Sequence, residues 1–569
     1  MAFYIRLALA IFTALLPAAC GPQAETTARY DLIIRGGMVY DGSGSAPRRA
    51  DVGVVGERIL AVGDLEGASG AREIDAQGLA VAPGFINMLS WASESLIADG
   101  LAQSDIRQGV TLEVFGEGWS MGPLTPAMKA ERKARQGDIQ YDIAWTTLAD
   151  YLDFLEAKGI APNVASFVGA TTVRVHELGY EDRAPTPAEL ARMQALVRAA
   201  MEDGALGLGS SLIYAPAFYA DTDELVALAE AVAPYGGMYI SHIRSEGDRL
   251  EEAVEELIAI AARAGVAGEI YHLKAAGAAN WPKLEKVIAR IEEARAEGLA
   301  ITADMYTYTA GATGLNAAMP PWVQEGGHEA WLKRLKDPAT RARVVGEMRA
   351  PAEKWENLLL AAGSAERVLL VDFKSEALKP LTGKTLAEVA RARKVSPEEA
   401  AIDLVIEDDS RVGAIYFLMA EDNVKRQVAL PWMSFGSDEA APASEGVFLK
   451  SNNHPRAYGT FARLLGRYVR DEGALSLAEA VRKLTGLPAE NLHLRERGRL
   501  AQGYFADIVV FDPASIADTA SYDAPHRYAT GVRHVWVNGV AVLEDGAVTG
   551  ATPGRVVRGP GWRGWRAGP

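Results

Sequence analysis

The sequence predicts an α/β protein built on a parallel sheet, with a smaller β domain assembled from the two ends of the chain. Strand-like runs alternate with helical ones through its middle: TPAELARMQALVRAAMEDG is followed by ALGLGSS, and DTDELVALAEAVAPYG by GMYISH. That alternation is the pattern of βα units. Short runs of alternating polarity, punctuated by Gly and Asp, occupy residues 30–80 (DLIIRGGMVYDG, DVGVVGERILAVG) and return within residues 486–560 (FADIVVFD, GVRHVWVNGVAVLEDGAV), where they read as strands and hairpin turns. At 569 residues the chain has room for a barrel of roughly 250–400 residues plus accessory parts.

Taken in order, the first element is MAFYIRLALAIFTALLPAAC, one Arg and an apolar run closing on small residues before Cys20. The run is too short to span a bilayer and reads as a secretory signal over residues 1–20. Leu16-Pro17-Ala18-Ala19-Cys20 resembles a bacterial lipobox, so the expectation is a lipid on Cys20, a tether over residues 21–29, and a periplasmic, membrane-anchored lipoprotein of a Gram-negative bacterium. An ordinary signal peptide with a chance cysteine is the alternative. Cys20 is the only cysteine, which excludes a disulfide framework. A net charge of −16 argues against a nucleic-acid partner, because phosphate binding needs Lys and Arg. From about residue 320 to 408 the chain turns charged and helical (LKRLKDPATRARVVGEMRAPAEKWENLLL). This reads as an insertion folding over the mouth of the sheet and shaping a pocket; its Lys and Arg are explained by solvated helices.

Four strand-like runs end in residues that bind metals or move protons. GMYISHIRSEG carries His242, GEIYHLKAAG carries His272, PWMSFGSDEAA ends in Asp438, and GVTLEVFGEGWS carries Glu113 and Glu117 an even number of residues apart. At the C-terminal ends of parallel strands, two imidazoles and two carboxylates can converge on one zinc with three protein ligands and an open position for water. Each residue has a plainer alternative: a hydrogen-bonded structural histidine, or an aspartate capping a turn.

The longer motifs GALGLGSSLIYAPAFYADTDELVALA, SHIRSEG, HLKAAG, DMYTYTAGATGL, HPRAYGTF and GYFADIVVFDP together resemble the D-aminoacylase branch of the amidohydrolase superfamily, from about Tyr30 to Pro560. The resemblance implies a (β/α)8 TIM-like metallohydrolase barrel over residues 81–485 that contains the insertion. It also implies a small β-sandwich domain from residues 30–80 and 486–560. It assigns His242 and His272 to a tightly held zinc and Asp438 to proton transfer. VAPGFINMLSW corresponds to the strand that usually continues as Asp-x-His-x-His; Asn87, Leu89 and Trp91 stand there instead, so the histidines of a weaker second metal are absent. The family's cysteine ligand is also missing. Glu117 is inferred to replace it, with Glu113 in reserve, and one Zn2+ per chain is expected, another divalent metal being possible because a carboxylate is a harder donor. Arg244, Lys274, Tyr306, His454 and Arg456 are candidates for binding an N-acyl amino acid substrate, and Trp91 is expected to line the pocket and favour a bulky acyl or aryl group. Hydrolysis of other amides, cyclic amides or lactones, and an inactive ligand-binding lipoprotein, are the competing readings.

Overall fold

The computed structural model describes residues 29–565; the leader and Cys20 lie outside the described residues. Eight barrel strands follow one another along the chain: Phe85–Asn87, Val110–Phe115, Asn163–Ser166, Gly207–Ser211, Met238–His242, Ala267–Ile270, Ile301–Met305 and Met433–Phe435. The third is interrupted at Phe167 and resumes as Val168–Gly169, which is the piece that pairs with the fourth. All pairings are parallel. The ring closes where Met88 N donates to Phe435 O at 3.1 Å and Asp438 N to Leu89 O at 2.8 Å. Both faces of these strands are covered, so they read as continuous apolar runs such as VTLEVF, every residue of which is buried.

The crossover helices carry their own start signals. Pro187–Glu202 begins at Thr186, whose hydroxyl accepts from Glu189 N while the Glu189 carboxylate returns to the Thr186 backbone. Met193, Val197, Ala200 and Met201 then bury one stripe against the barrel. No helix among the described residues is long and apolar enough to cross a membrane.

The two chain ends meet in one nine-stranded sheet. Ala80–Pro83 from the first end pairs antiparallel with Ile508–Phe511 from the second. Leu32, Ile34, Val52, Val54, Val81, Ile508, Val510 and Trp536 make a core separate from the barrel's. The small β domain expected from the two chain ends is thus present, with its strands joined in one continuous hydrogen-bonded path. Its last strand ends at Val548, after which the chain leaves to bridge Ile160 and Val164 at the base of the barrel.

The insertion also differs from its sequence reading. It is not only helical: Ala310–Gly314, Val368–Asp372 and Gly413–Phe417 form an antiparallel sheet with the last strand in the middle, so the unit starts before residue 320 and ends after residue 408. AGATG has neither β-branched weight nor an alternating pattern, which hid the strand from sequence reasoning.

Barrel and β domain are joined at a buried polar knot. Asp507 Oδ1 accepts from Asn538 N at 2.8 Å and from Asn163 Nδ2 at 3.3 Å, Asn538 Nδ2 donates to Asn163 Oδ1 at 2.9 Å, and Arg497 pairs with Asp507. Removing one partner of a buried pair costs about 3–5 kcal/mol. Asp507→Ala should therefore lower the melting temperature by several degrees, measured calorimetrically, while metal content per folded chain stays unchanged.

Candidate metal centre and active-site cavity

Glu117 stands two residues past the end of the second barrel strand, in the turn Gly116-Glu117-Gly118. Both glycines lie in the left-handed region, at φ 110° and 68°. A Cβ on Gly116 would collide with the Phe167 carbonyl, and one on Gly118 with the Ser211 side chain. The glycines let the backbone press against the neighbouring strand ends, and Glu117 is thereby thrust over the centre of the barrel mouth.

His242 closes the fifth strand and His272 follows the sixth after Tyr271. Their rings meet edge to face, centroids 4.6 Å apart. Glu117 Oε1 lies 3.1 Å from His242 Nδ1 and 3.2 Å from His272 Nε2. One ligand atom from each of the three buried residues falls within 4.8 Å of the other two. Two imidazoles and a carboxylate are the donor set of many zinc sites, and the three atoms are as close as shared coordination of one divalent ion requires. Burial raises the Glu117 pKa, but the hydrogen bonds from His242 and His272 outweigh it and hold the carboxyl below its ordinary range. His272 adopts φ 35° and Asp438 φ 52°, a conformation uncommon outside glycine and concentrated at functional sites.

Glu246 is the residue that sequence reasoning missed. Its Oε1 lies 3.0 Å from His272 Nδ1 and accepts from Lys274 Nζ at 2.5 Å. Lys274 Nζ also lies 2.8 Å from that Nδ1, so a carboxylate and an ammonium together hold the ring with Nε2 turned towards Glu117. The signal was present in SHIRSEG, where Glu246 follows His242 by four residues. Tyr214 was also passed over; its ring packs edge-on to His242 at 5.3 Å, and its hydroxyl donates to Thr313 of the insertion at 2.9 Å.

Asp438 follows the eighth strand. Its Oδ2 pairs with Arg456 Nη1 at 2.8 Å. Burial pushes its pKa up, against the pull of Arg456 and His272. Lys274, Tyr306 and Arg456 line a cavity of about 720 Å³ together with Trp91, Glu117, His242, His272 and Asp438, and the insertion forms its outer wall through Thr313, Asn316 and Trp331.

Three candidates fall elsewhere. Arg244, expected on the substrate, points away from this cavity: Glu256 takes its Nε and Nη2 at 2.8 and 2.9 Å, and the Phe218 and Ala220 carbonyls take the rest. Four of its five N–H donors are thus spent on protein acceptors, and the side chain is not among those lining the cavity that holds the metal ligands. His454, also expected on the substrate, is fully buried behind the wall; its Nδ1 accepts from Arg456 N at 3.0 Å, and burial with the adjacent Arg456 charge keeps it neutral. Glu113, the reserve ligand, sits below the site in the barrel interior, where it accepts from Asn87 Nδ2 at 3.0 Å. Burial pushes its carboxyl up to about 7, against the hydrogen bonds of Ser90 and Asn87. Leu89 is buried and offers no ligand atom.

A parallel eight-stranded barrel with a histidine- and carboxylate-lined mouth defines a metallohydrolase scaffold. The chain belongs to the amidohydrolase family, whose description it matches over residues 72–543. It is 35% identical to the D-aminoacylase of Alcaligenes xylosoxydans xylosoxydans over 532 residues, covering 93% of this chain and 97% of that protein. A crystal structure of D-aminoacylase superposes with a TM-score of 0.77 at 35% identity, over 93% of this chain and 100% of that one. The N-acyl-D-glutamate deacylase of Bordetella bronchiseptica, solved with zinc and a phosphonate inhibitor, superposes with a TM-score of 0.76 at 31% identity, with the same coverage.

The geometry separates the two glutamates experimentally. Glu117→Gln should lose most of its bound metal in elemental analysis, because a neutral amide is a far poorer partner for a dication. Glu113→Gln should keep its metal. Equal metal content in the two variants would reassign the ligand.

Proposed function

We propose that the protein is a zinc-dependent deacylase of N-acylated D-amino acids working with one metal ion. The observation that carries this is the meeting of Glu117, His242 and His272 within 4.8 Å, in the cavity that also holds Asp438 and the cations Lys274 and Arg456. The relatives named above, a D-aminoacylase and an N-acyl-D-glutamate deacylase, supply the substrate class.

Glu117 Oε1, His242 Nδ1 and His272 Nε2 would hold the ion. When bound there, a divalent cation acidifies a water molecule and polarises an amide carbonyl. Asp438 accepts the proton of the attacking water and delivers it to the departing nitrogen; the water oxygen joins the carbonyl carbon, the C–N bond breaks, and a carboxylate and an amine leave. Arg456 holds the Asp438 carboxylate in place through Oδ2. The Arg456 guanidinium also stacks over Tyr306, 4.4 Å from the ring centroid, and its Nε has no hydrogen-bond acceptor. That Nε is buried and faces the Glu439 carboxylate at 4.0 Å, so Arg456 would meet the substrate's carboxylate with its charge, from the cavity wall. Lys274 adds positive charge on the same side, and its contact with Glu246 keeps the ammonium in place.

Asp438→Asn should retain its metal and lose turnover by about 10²–10⁴, the usual scale of general acid–base catalysis. His242→Ala and His272→Ala should lose metal and turnover together. A chiral hydrolysis screen over N-acyl amino acids of varied acyl length tests the substrate class; turnover confined to L-enantiomers or to cyclic amides would overturn it.

For its cellular location, the reading supported by LPAAC at residues 16–20 is an exported lipoprotein anchored through Cys20. Cys20→Ser should move the protein from the membrane to the soluble periplasmic fraction; equal membrane recovery of both forms would exclude the anchor.

A further inference from the structure

Two carboxylates reach the same point of the cavity from different strands. Glu117 uses Oε1 for the two imidazoles, and Asp438 uses Oδ2 for Arg456. Their other oxygens, Glu117 Oε2 and Asp438 Oδ1, converge on one atom: the indole Nε1 of Trp91, at 3.1 Å and 3.2 Å. Two carboxylate oxygens brought so close repel one another unless something positive lies between them, a second cation or a hydrogen-bond donor. An indole N–H is a donor only; it cannot coordinate a metal, and it cannot be deprotonated at any ordinary pH.

We infer that the Trp91 N–H takes the place of a second cation: it bridges Glu117 and Asp438, fixes both carboxylates in their working orientation, and closes the position to a second metal. Trp91 is on this reading a positioning residue that acts through Asp438, and it makes the centre mononuclear by construction. The surroundings support this. Leu89, on the same short segment, is buried and has no donor atom, so that segment adds no ligand to compete with the bridge, and the two carboxylate oxygens are the atoms a second ion would have to win from the indole. The ring is 39% exposed on the cavity side, within reach of excess metal in solution, so exclusion rests on the filled position and not on burial. The inference rests on the one-metal deacylase reading above.

The test is equilibrium dialysis of the full chain against a large excess of ZnCl2, followed by elemental analysis and assay. The wild-type protein should hold one zinc per chain, and excess zinc should leave its rate unchanged. Trp91→Phe keeps the ring and deletes the donor; it should take up a second zinc, and its kcat at one zinc should fall about tenfold, as loss of a charge-assisted hydrogen bond to a reacting carboxylate predicts. Trp91→His, which puts a ligand at the same position, should take up the second zinc as well, and it keeps the question open to test if the Phe variant folds poorly. A wild-type protein that binds two zincs, or a Trp91→Phe protein that stays at one zinc with wild-type kcat, would overturn the inference. An active wild-type preparation containing no metal would instead overturn the proposed function.

Discussion

The mouth of the barrel is organised around the Glu117 carboxylate, buried between two imidazoles whose nitrogens lie 3.1 and 3.2 Å from a single oxygen. That position is improbable for a charged side chain unless it is compensated, since an unpaired buried carboxylate neutralises itself by taking up a proton. Here the compensation comes from elements far apart in the chain, and all of them must be in register for it to work. The second strand has to end in a turn tight enough to touch Phe167 and Ser211, and the fifth and sixth strands must end level with it. The glycines at 116 and 118 supply the first condition; parallel pairing of Ser211 with His242 and of Ser241 with Ile270 supplies the second.

Charge alternates outward from that carboxylate. Glu117 faces His242 and His272, His272 faces Glu246, and Glu246 faces Lys274; on the other side Asp438 faces Arg456, which lies over Tyr306. Each group is buried or nearly so and is held by a neighbour of opposite tendency, so removing any one member leaves its partner's charge uncompensated. The backbone shows the same over-determination. His272 and Asp438 both sit at positive φ, and their amides are pinned, to Asp304 Oδ1 and Leu89 O at 2.8 Å each. Strain of this kind persists only where the surrounding packing enforces it.

Much of this was legible in the sequence, and the reasons for the rest are specific. Periodicity shows the βα units and the two-ended β domain, because a buried parallel strand and an amphipathic crossover helix leave different patterns. His242, His272, Glu117 and Asp438 are readable because each closes a strand-like run, and strand ends are where a barrel does chemistry. Arg244 misleads because a place two residues after a strand-end histidine does not say which way a loop side chain turns, and only the fold shows Glu256 waiting for it; His454 misleads because a hydrogen-bonding ring in HPRAYG says nothing of depth, and the fold closes it into a recess lined by Tyr306, Tyr308 and Tyr522. Glu246 escapes for the converse reason. It lies on a loop without periodicity, and nothing local says that it returns to His272. The insertion's sheet escapes because AGATG carries no strand propensity and gains its pairing from Gly413–Phe417 alone.

Glu117 and Trp91, which stand where the sequence resemblance leads one to expect a cysteine and a histidine, meet one another. A thiolate at position 117 would present one sulfur atom, which would have to serve a metal and the indole from a single centre. A carboxylate presents two oxygens on a rigid plane: Oε1 turns to the imidazoles and Oε2 to Trp91. Glutamate and tryptophan therefore act as a matched pair across the cavity, one supplying the spare oxygen that the other caps. A third group, Asp438, receives the same N–H, so the residue chosen at one strand end bears, through Trp91, on the orientation of a carboxylate at another.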